Sequence, residues 1–376
     1  MDLVTVLGGS VLLLLTLHLY NVRSQRYAIL ERTLHDHGSE ENLTPLVAQK
    51  IVQSISQYEF PFLYTKSLEF ALFKTYGIPS IARVLVASKD LVDRAGVRAE
   101  DTSLLIEEML TWDLNSVRST TAVARTNQIH AAYGSRITNA DLLYTLSLFI
   151  LEPIRWIGRY EWRPLSAREQ DAQFTLWTAI GHRLGIVDIP RTLEHLRAWS
   201  EHYEETYMVF DRKNRVLADA TLAVLLRPVP AVLLGLARQN VYALLEDRAR
   251  LAFGYPQPSA SVKSSLEVVL QIRRLALRHL ALPRTQPSRR MEEAPNGQGR
   301  YHPSFFRFVP LYVRPTWVTK LWCIFLGFEI PSLDSHWHNE GYKVEEIGPE
   351  RPEKYLEENQ QKVRQAAEAM RLCPFR

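Results

Sequence analysis

Apolar residues along this chain recur three and four positions apart. No stretch alternates apolar and polar residues for long enough to predict a strand, so the expected fold is all-α. Asp101 is placed to cap a helix carrying Leu104, Leu105, Ile106, Met109 and Leu110. A second helix is expected from about Ser116 to Gly134, with the glycine closing it. Thr138 and Asp141 resemble a capping box for a very apolar helix over 142–151, which Pro153 should stop. Ser166 and Glu169 form a clearer box, opening a helix that passes through Trp177 and Ile180 and closes near Gly185. Residues 191–208 follow with a core stripe of Leu193, Leu196 and Trp199. Further helices are expected over 219–226, 231–253 and 261–281.

The ends of the chain read differently. Residues 3–20 are almost wholly apolar, preceded by Asp2 and followed by Arg23, Arg26 and Arg32, with no small-residue cleavage site. The expectation is an uncleaved transmembrane anchor over 1–22, with the body in the cytosol by the positive-inside rule. The helical body then spans 23–282. Residues 283–300, rich in Pro, Gly, Arg and Glu, read as a surface loop or linker. Residues 301–376 read as a C-terminal extension packing on the body or the membrane. Its stretch 305–330 is dense in aromatics, suited either to packing or to a membrane shoulder, and 352–371 reads as a solvated polar helix.

Composition narrows the classes. The chain of 376 residues is 46% hydrophobic, enough for a sizeable core, and its net charge of +4 includes no long basic block, which argues against nucleic acid as a partner. Two cysteines, Cys323 and Cys373, are no disulfide framework and fit a reducing compartment. Phosphate-binding loops, dinucleotide turns, nucleophile elbows, C-x-x-C pairs, H-E-x-x-H and Glu-x-x-His pairs are all missing. His195 with His202, and His336 with His338, are spaced as metal pairs but suit solvated or packing histidines better. Within 123–133, helical spacing puts Val123, Asn127 and His130 on one face among small residues. A lone histidine there is either a hydrogen-bonded core residue or a ligand to something flat and bulky, such as haem.

The order of several segments decides between these. They are 58–62 (YEFPF), 70–79 (FALFKTYGIP), the His130 segment, 141–146 (DLLYTL), 161–165 (EWRPL), Tyr203-Glu204 with Tyr207-Met208, and Cys373-Pro374-Phe375. In that order they resemble the ER-bound oxygenases of the mpaB type, from mycophenolic acid biosynthesis. Those share a catalytic domain with the rubber oxygenases, or latex-clearing proteins. The resemblance implies a globin-like helical haem domain behind an endoplasmic-reticulum anchor. It also implies haem b, O2 as co-substrate, and oxidative cleavage of a C=C bond in a prenyl side chain. His130 matches the proximal iron ligand. The family's distal arginine, with a lysine and threonine a few residues on, falls nearest Arg83 and Ser88, with imperfect spacing. Arg125, Arg159 and Arg163 are candidates for the haem propionates, since arginine stays charged and binds bidentately.

The expected partners are a lipophilic prenylated substrate such as a meroterpenoid intermediate, the lipid bilayer, and pathway enzymes. Leu142, Leu146, Phe149, Trp177 and Ile180 are candidates both for an apolar substrate pocket and for plain core. Two alternatives remain open: a non-catalytic tethered binding protein for a lipophilic intermediate, and a haem oxygenase that hydroxylates or cyclises without cleavage.

Overall fold

The structure is a computed structural model that describes residues 3–38, 43–332, 337–349 and 356–372. The element order is α1 (Leu3–Gly38), α2 (Pro45–Gln53), a π-helical turn (Ser54–Glu59), α3 (Pro61–Thr75), α4 (Pro79–Ala87), α5 (Asp90–Asp93), α6 (Ala95–Thr111) and α7 (Val117–Ala131). There follow α8 (Asn139–Tyr160), α9 (Ala167–Arg183), α10 (Leu193–Tyr207), α11 (Arg212–Leu225), α12 (Leu234–Leu244), α13 (Asp247–Ala252), α14 (Ala260–His279), α15 (Trp317–Leu326) and α16 (Leu356–Leu372). Among the described residues there is no strand, only the isolated bridges Met291–Pro303 and Tyr301–Tyr342. The all-α expectation holds.

Helix α3 packs on α8, α2 on α9, and α6 on α7, around a core whose largest fully buried side chains include Trp177, Tyr144, Phe60 and Phe73. Local signals set several boundaries. The Ser116 hydroxyl accepts from Ser119 N and opens α7, Thr138 caps α8 through Asp141 N, and Ser166 and Glu169 form the reciprocal box of α9. Tertiary packing overrides others. Helix α8 does not stop at Pro153 but runs on to Tyr160, because Trp156, Ile157 and Tyr160 beyond the proline are all buried. Asp101 caps nothing. It lies inside α6, 3% exposed, and accepts from the Tyr312 hydroxyl at 2.9 Å.

Three other expectations change. Segment 283–300 is irregular but is no free linker, since Arg290 is buried in ion pairs with Glu100 and Glu107. The C-terminal helix is not solvated all round, since Val363 and Ala367 of α16 bury against Ala124 of α7. Helix α1 runs unbroken through residue 22, and its C-terminal half is tied to the body by Arg26, which donates to Ala281 O at 2.7 and 3.1 Å. Leu12 to Leu15 of α1 are exposed. Among the described residues no single helix is long and apolar enough to cross a membrane. The bent pair α3–α4, turned by 92°, passes by length and composition only, and α3 is packed in the core. Cys373 and Phe375 lie outside the described residues.

Candidate functional site

A cavity of about 680 Å³ runs between α3 and α6, with α4, α8 and α11 closing its sides and His130 in its wall. Its extent follows from α6, which lines it at Ala95, Arg98, Thr102, Ile106 and Leu110, the three- and four-residue spacing of one helix face. At 1.5 Å rise per residue the α6 wall is about 24 Å long. One end holds His130 with Arg98, Tyr76 and Asp141. The other holds Gln57, Phe62, Arg284 and Arg289. Between them the walls are mostly apolar, with Leu68, Leu72, Ile106 and Leu110, but Glu69 and Glu107 also reach the lining.

His130 is on the last turn of α7. That helix is fixed by α16 on one side and by a C-terminal strap on the other. Gly348 of the strap has φ +103°, a backbone conformation that favours glycine, and it lies against Ile129 of α7. The Nδ1 atom of His130 is buried with no hydrogen-bond partner. Burial, with a smaller contribution from the Arg98 cation, lowers its pKa from 6.5 to about 4. The imidazole is therefore neutral at physiological pH, with an unused lone pair or N–H at a cavity wall. Such a nitrogen has the donor chemistry of a ligand to an electrophilic metal.

A pH experiment tests this burial. The unfolded chain binds the His130 proton below pH 6.5 while the folded chain refuses it until about pH 4, so this residue makes stability rise with pH across that window. Asp101 acts oppositely. Burial raises its carboxyl from 3.8 to about 6, so its contribution falls as pH rises from 3.8 to 6. The His130 part is isolated by comparing apoprotein with His130→Phe. The wild type should gain up to ~3 kcal/mol over the variant between pH 4 and 6.5, and nothing further above. Denaturant midpoints across that range would show this, and a flat difference would refute it.

The other sequence-predicted residues do not converge on His130. Arg83 is exposed on α4, whose inward residues at the cavity are Ile81, Val84 and Leu85. The Ser88 hydroxyl donates to Leu85 O at 2.7 Å and lies outside the cavity lining. Arg125 is buried, donating to Ile347 O at 2.7 Å and to Gln128 Oε1 at 2.6 Å; it lines a separate polar cavity of about 540 Å³ under the strap. Arg163 is held between Glu59 and Glu169, which keep its guanidinium charged against burial, and it secures the start of α9. Arg159 pairs with Glu267 at the surface. Of the apolar candidates, Leu142 lines the cavity, while Leu146, Phe149, Trp177 and Ile180 belong to the core. His195 and His202 are exposed on α10, and His336 is outside the described residues.

The residues missed by the sequence reading are Arg98 and Thr102, one turn apart on α6 and both in the cavity wall. Among the described residues nothing forms a hydrogen bond or ion pair with the Arg98 guanidinium, although Asp101, Tyr76 and His130 lie within its field. An arginine and a threonine four apart on the inward face of α6 were a readable signal. It was obscured by reading Asp101, which sits between them, as a helix start.

An all-helical body with one neutral histidine at the end of a mostly apolar cavity is the class that fold and site define. The family described as "ER-bound oxygenase mpaB/B'/Rubber oxygenase, catalytic domain" matches residues 79–276, and the chain belongs to it. It is 34% identical over 367 residues to the ER-bound oxygenase mpaB' of Penicillium brevicompactum, covering 90% of this chain and 86% of that one. The ER-bound oxygenase mpaB of the same organism is 34% identical over 316 residues, 78% of this chain and 74% of its own. The mpaB oxygenase of Penicillium roqueforti is 38% identical over 233 residues, 58% and 78% respectively.

Proposed function

We propose that this protein is a haem-dependent oxygenase at the endoplasmic-reticulum membrane, cleaving a C=C bond in the prenyl side chain of a lipophilic specialised metabolite such as a meroterpenoid. The observation that carries the reading is His130, a neutral imidazole with an unpartnered buried nitrogen in the wall of a long apolar cavity. Among the described residues no group of three or more His, Cys, Asp or Glu side chains could hold a metal ion. A metal at His130 would therefore bring most of its own ligands, as haem does. The cavity volume lies within the 300–1,000 Å³ ordinary for ligand and cofactor pockets. Membrane association is supported by the relatives' character as ER-bound and by the exposed leucines of α1.

Bound haem supplies the iron centre at which dioxygen is activated. His130 would hold the iron, and its imidazole is kept neutral because burial disfavours the cation. With haem bound, Arg98 would present a cation able to stabilise negative charge on oxygen, while the Thr102 hydroxyl donates to Arg98 O at 2.8 Å and holds that turn of α6. The leucine-lined middle of the cavity holds a hydrocarbon tail and excludes water from the reacting carbons.

Replacing Arg98 with methionine keeps length and removes charge. It should lower turnover roughly 100- to 1,000-fold with haem content unchanged. Turnover normalised to bound haem measures this, and unchanged turnover would remove Arg98 from the chemistry. Cleavage itself is tested by product mass under isotopically labelled dioxygen. Breaking one C=C bond with one O2 leaves two shorter carbonyl fragments, each carrying one labelled oxygen. A product with the full carbon skeleton would favour hydroxylation or cyclisation, and no product from any prenylated compound would favour a binding protein.

A further inference from the structure

Helix α15 has its polarity inverted. Its buried side chains are Thr319 and Cys323, while Trp317, Leu321, Ile324 and Phe325 are 77%, 60%, 64% and 68% exposed. Trp322, at 52%, completes this outer surface, and the exposed Lys320 lies beside it. The inversion is held in place by the ends of the helix. Thr316 caps the start, Gly327 closes it at φ +68°, and Phe328 packs against Phe306 and Trp337. Rotating the helix to bury its outer face would break these attachments.

We propose that α15 lies flat in the interface of a phospholipid bilayer, as a second membrane contact separate from α1. Ten residues of α-helix span ~15 Å, half of the ~30 Å hydrocarbon core, so the helix cannot cross and must lie in the plane. Exposed tryptophans and a flanking lysine are the chemistry of that interface, with indoles at headgroup depth and an ammonium for phosphates.

The position of α15 relative to the cavity argues for lipid over a protein partner. Phe328, at the end of α15, packs on Phe306, whose neighbours Phe305 and Arg307 line the cavity; Phe305 is 53% exposed and marks a mouth there. On the other side of that mouth, α1 docks through Arg26 and His18 on Leu280 and Ala281, just before the mouth residue Arg284. The exposed apolar residues of α1 and those of α15 thus attach to two segments that both contribute to the cavity lining. A bilayer covers both at once and places the opening at the lipid surface, with Arg284 and Arg289 at headgroup level. This lateral entry rests on the lipophilic-substrate reading above; the lipid contact itself does not.

Tryptophan emission isolates the contact. Trp317 and Trp322 are exposed, whereas Trp112, Trp156, Trp162, Trp177, Trp199 and Trp337 are buried or half-buried. The full chain is reconstituted in phosphatidylcholine vesicles with and without bromine on the acyl chains, alongside the double variant W317F/W322F, which keeps the surface apolar. Emission of the wild type should fall in brominated lipid, and the double variant should lose more than half of that fall. Equal quenching in both proteins, or none in the wild type, would overturn the proposal. Concentration-dependent self-association without quenching would also overturn it and assign the face to a second copy. The readout needs no haem and no turnover, so its failure is distinct from failure of the oxygenase reading.

Discussion

His130→Ala is expected to yield a folded protein that retains no haem and has no measurable oxygenase turnover. In the proposed function the imidazole would hold the iron, and the side chain's own contribution to stability is small because its Nδ1 atom is buried without a partner. Two melting temperatures separate these effects. Apoprotein of variant and wild type should melt within a few degrees of each other. Haem should raise the melting temperature of the wild type alone, since a ligand stabilises only the state that binds it. Imidazole added in solution can enter the space left by the side chain, and it should restore part of the haem absorption. A variant that kept wild-type haem affinity would place the ligand elsewhere.

The second large effect concerns the scaffold. Lys74 of α3 is buried, with its Nζ 2.7 Å from Glu204 and 3.4 Å from Glu152, and paired also with Glu246. Burial works against its charge, but the three carboxylates more than offset this and hold its pKa above the ordinary value. Lys74→Met leaves those carboxylates facing one another, with Arg155 still bound to Glu152 and Glu246 but nothing cationic beside Glu204. The expected loss is about 3–5 kcal/mol at neutral pH, the range for removing one partner from a buried pair. The deficit should shrink toward pH 5, because protonating Glu204 removes the repulsion. Adding Glu204→Gln should recover part of it at pH 8. Equal destabilisation at both pH values would show that packing, not charge, sets the effect.

What was legible in the sequence was what local chemistry decides. Ser116, Thr138 and Ser166 opened the helices they were expected to open, because a hydroxyl accepting from an amide three residues on is a local bond. His130 was visible for the same reason, as a single imidazole on a helix of small residues. Pro153 misled because the buried aromatics beyond it outweigh one missing N–H. Arg83 was chosen by its distance along the chain, whereas which face of α4 meets the cavity is set by Ile81, Val84 and Leu85 packing inward. Arg290 is charged and sits in a proline- and glycine-rich stretch, and its burial depends on Glu100 and Glu107 nearly two hundred residues earlier. Arg98 was overlooked because Asp101 was read as the start of the helix, whereas α6 begins at Ala95 and carries Arg98 on its cavity face.

The proposed function depends on haem bound in the cavity at His130. Its most direct test is the visible absorption spectrum of the full-length protein purified in mild detergent, with haem quantified against protein. A Soret band and close to one haem b per chain are expected, and reduction by dithionite should shift the band. Well-folded protein that shows no Soret band, and gains none on haem titration, would contradict it.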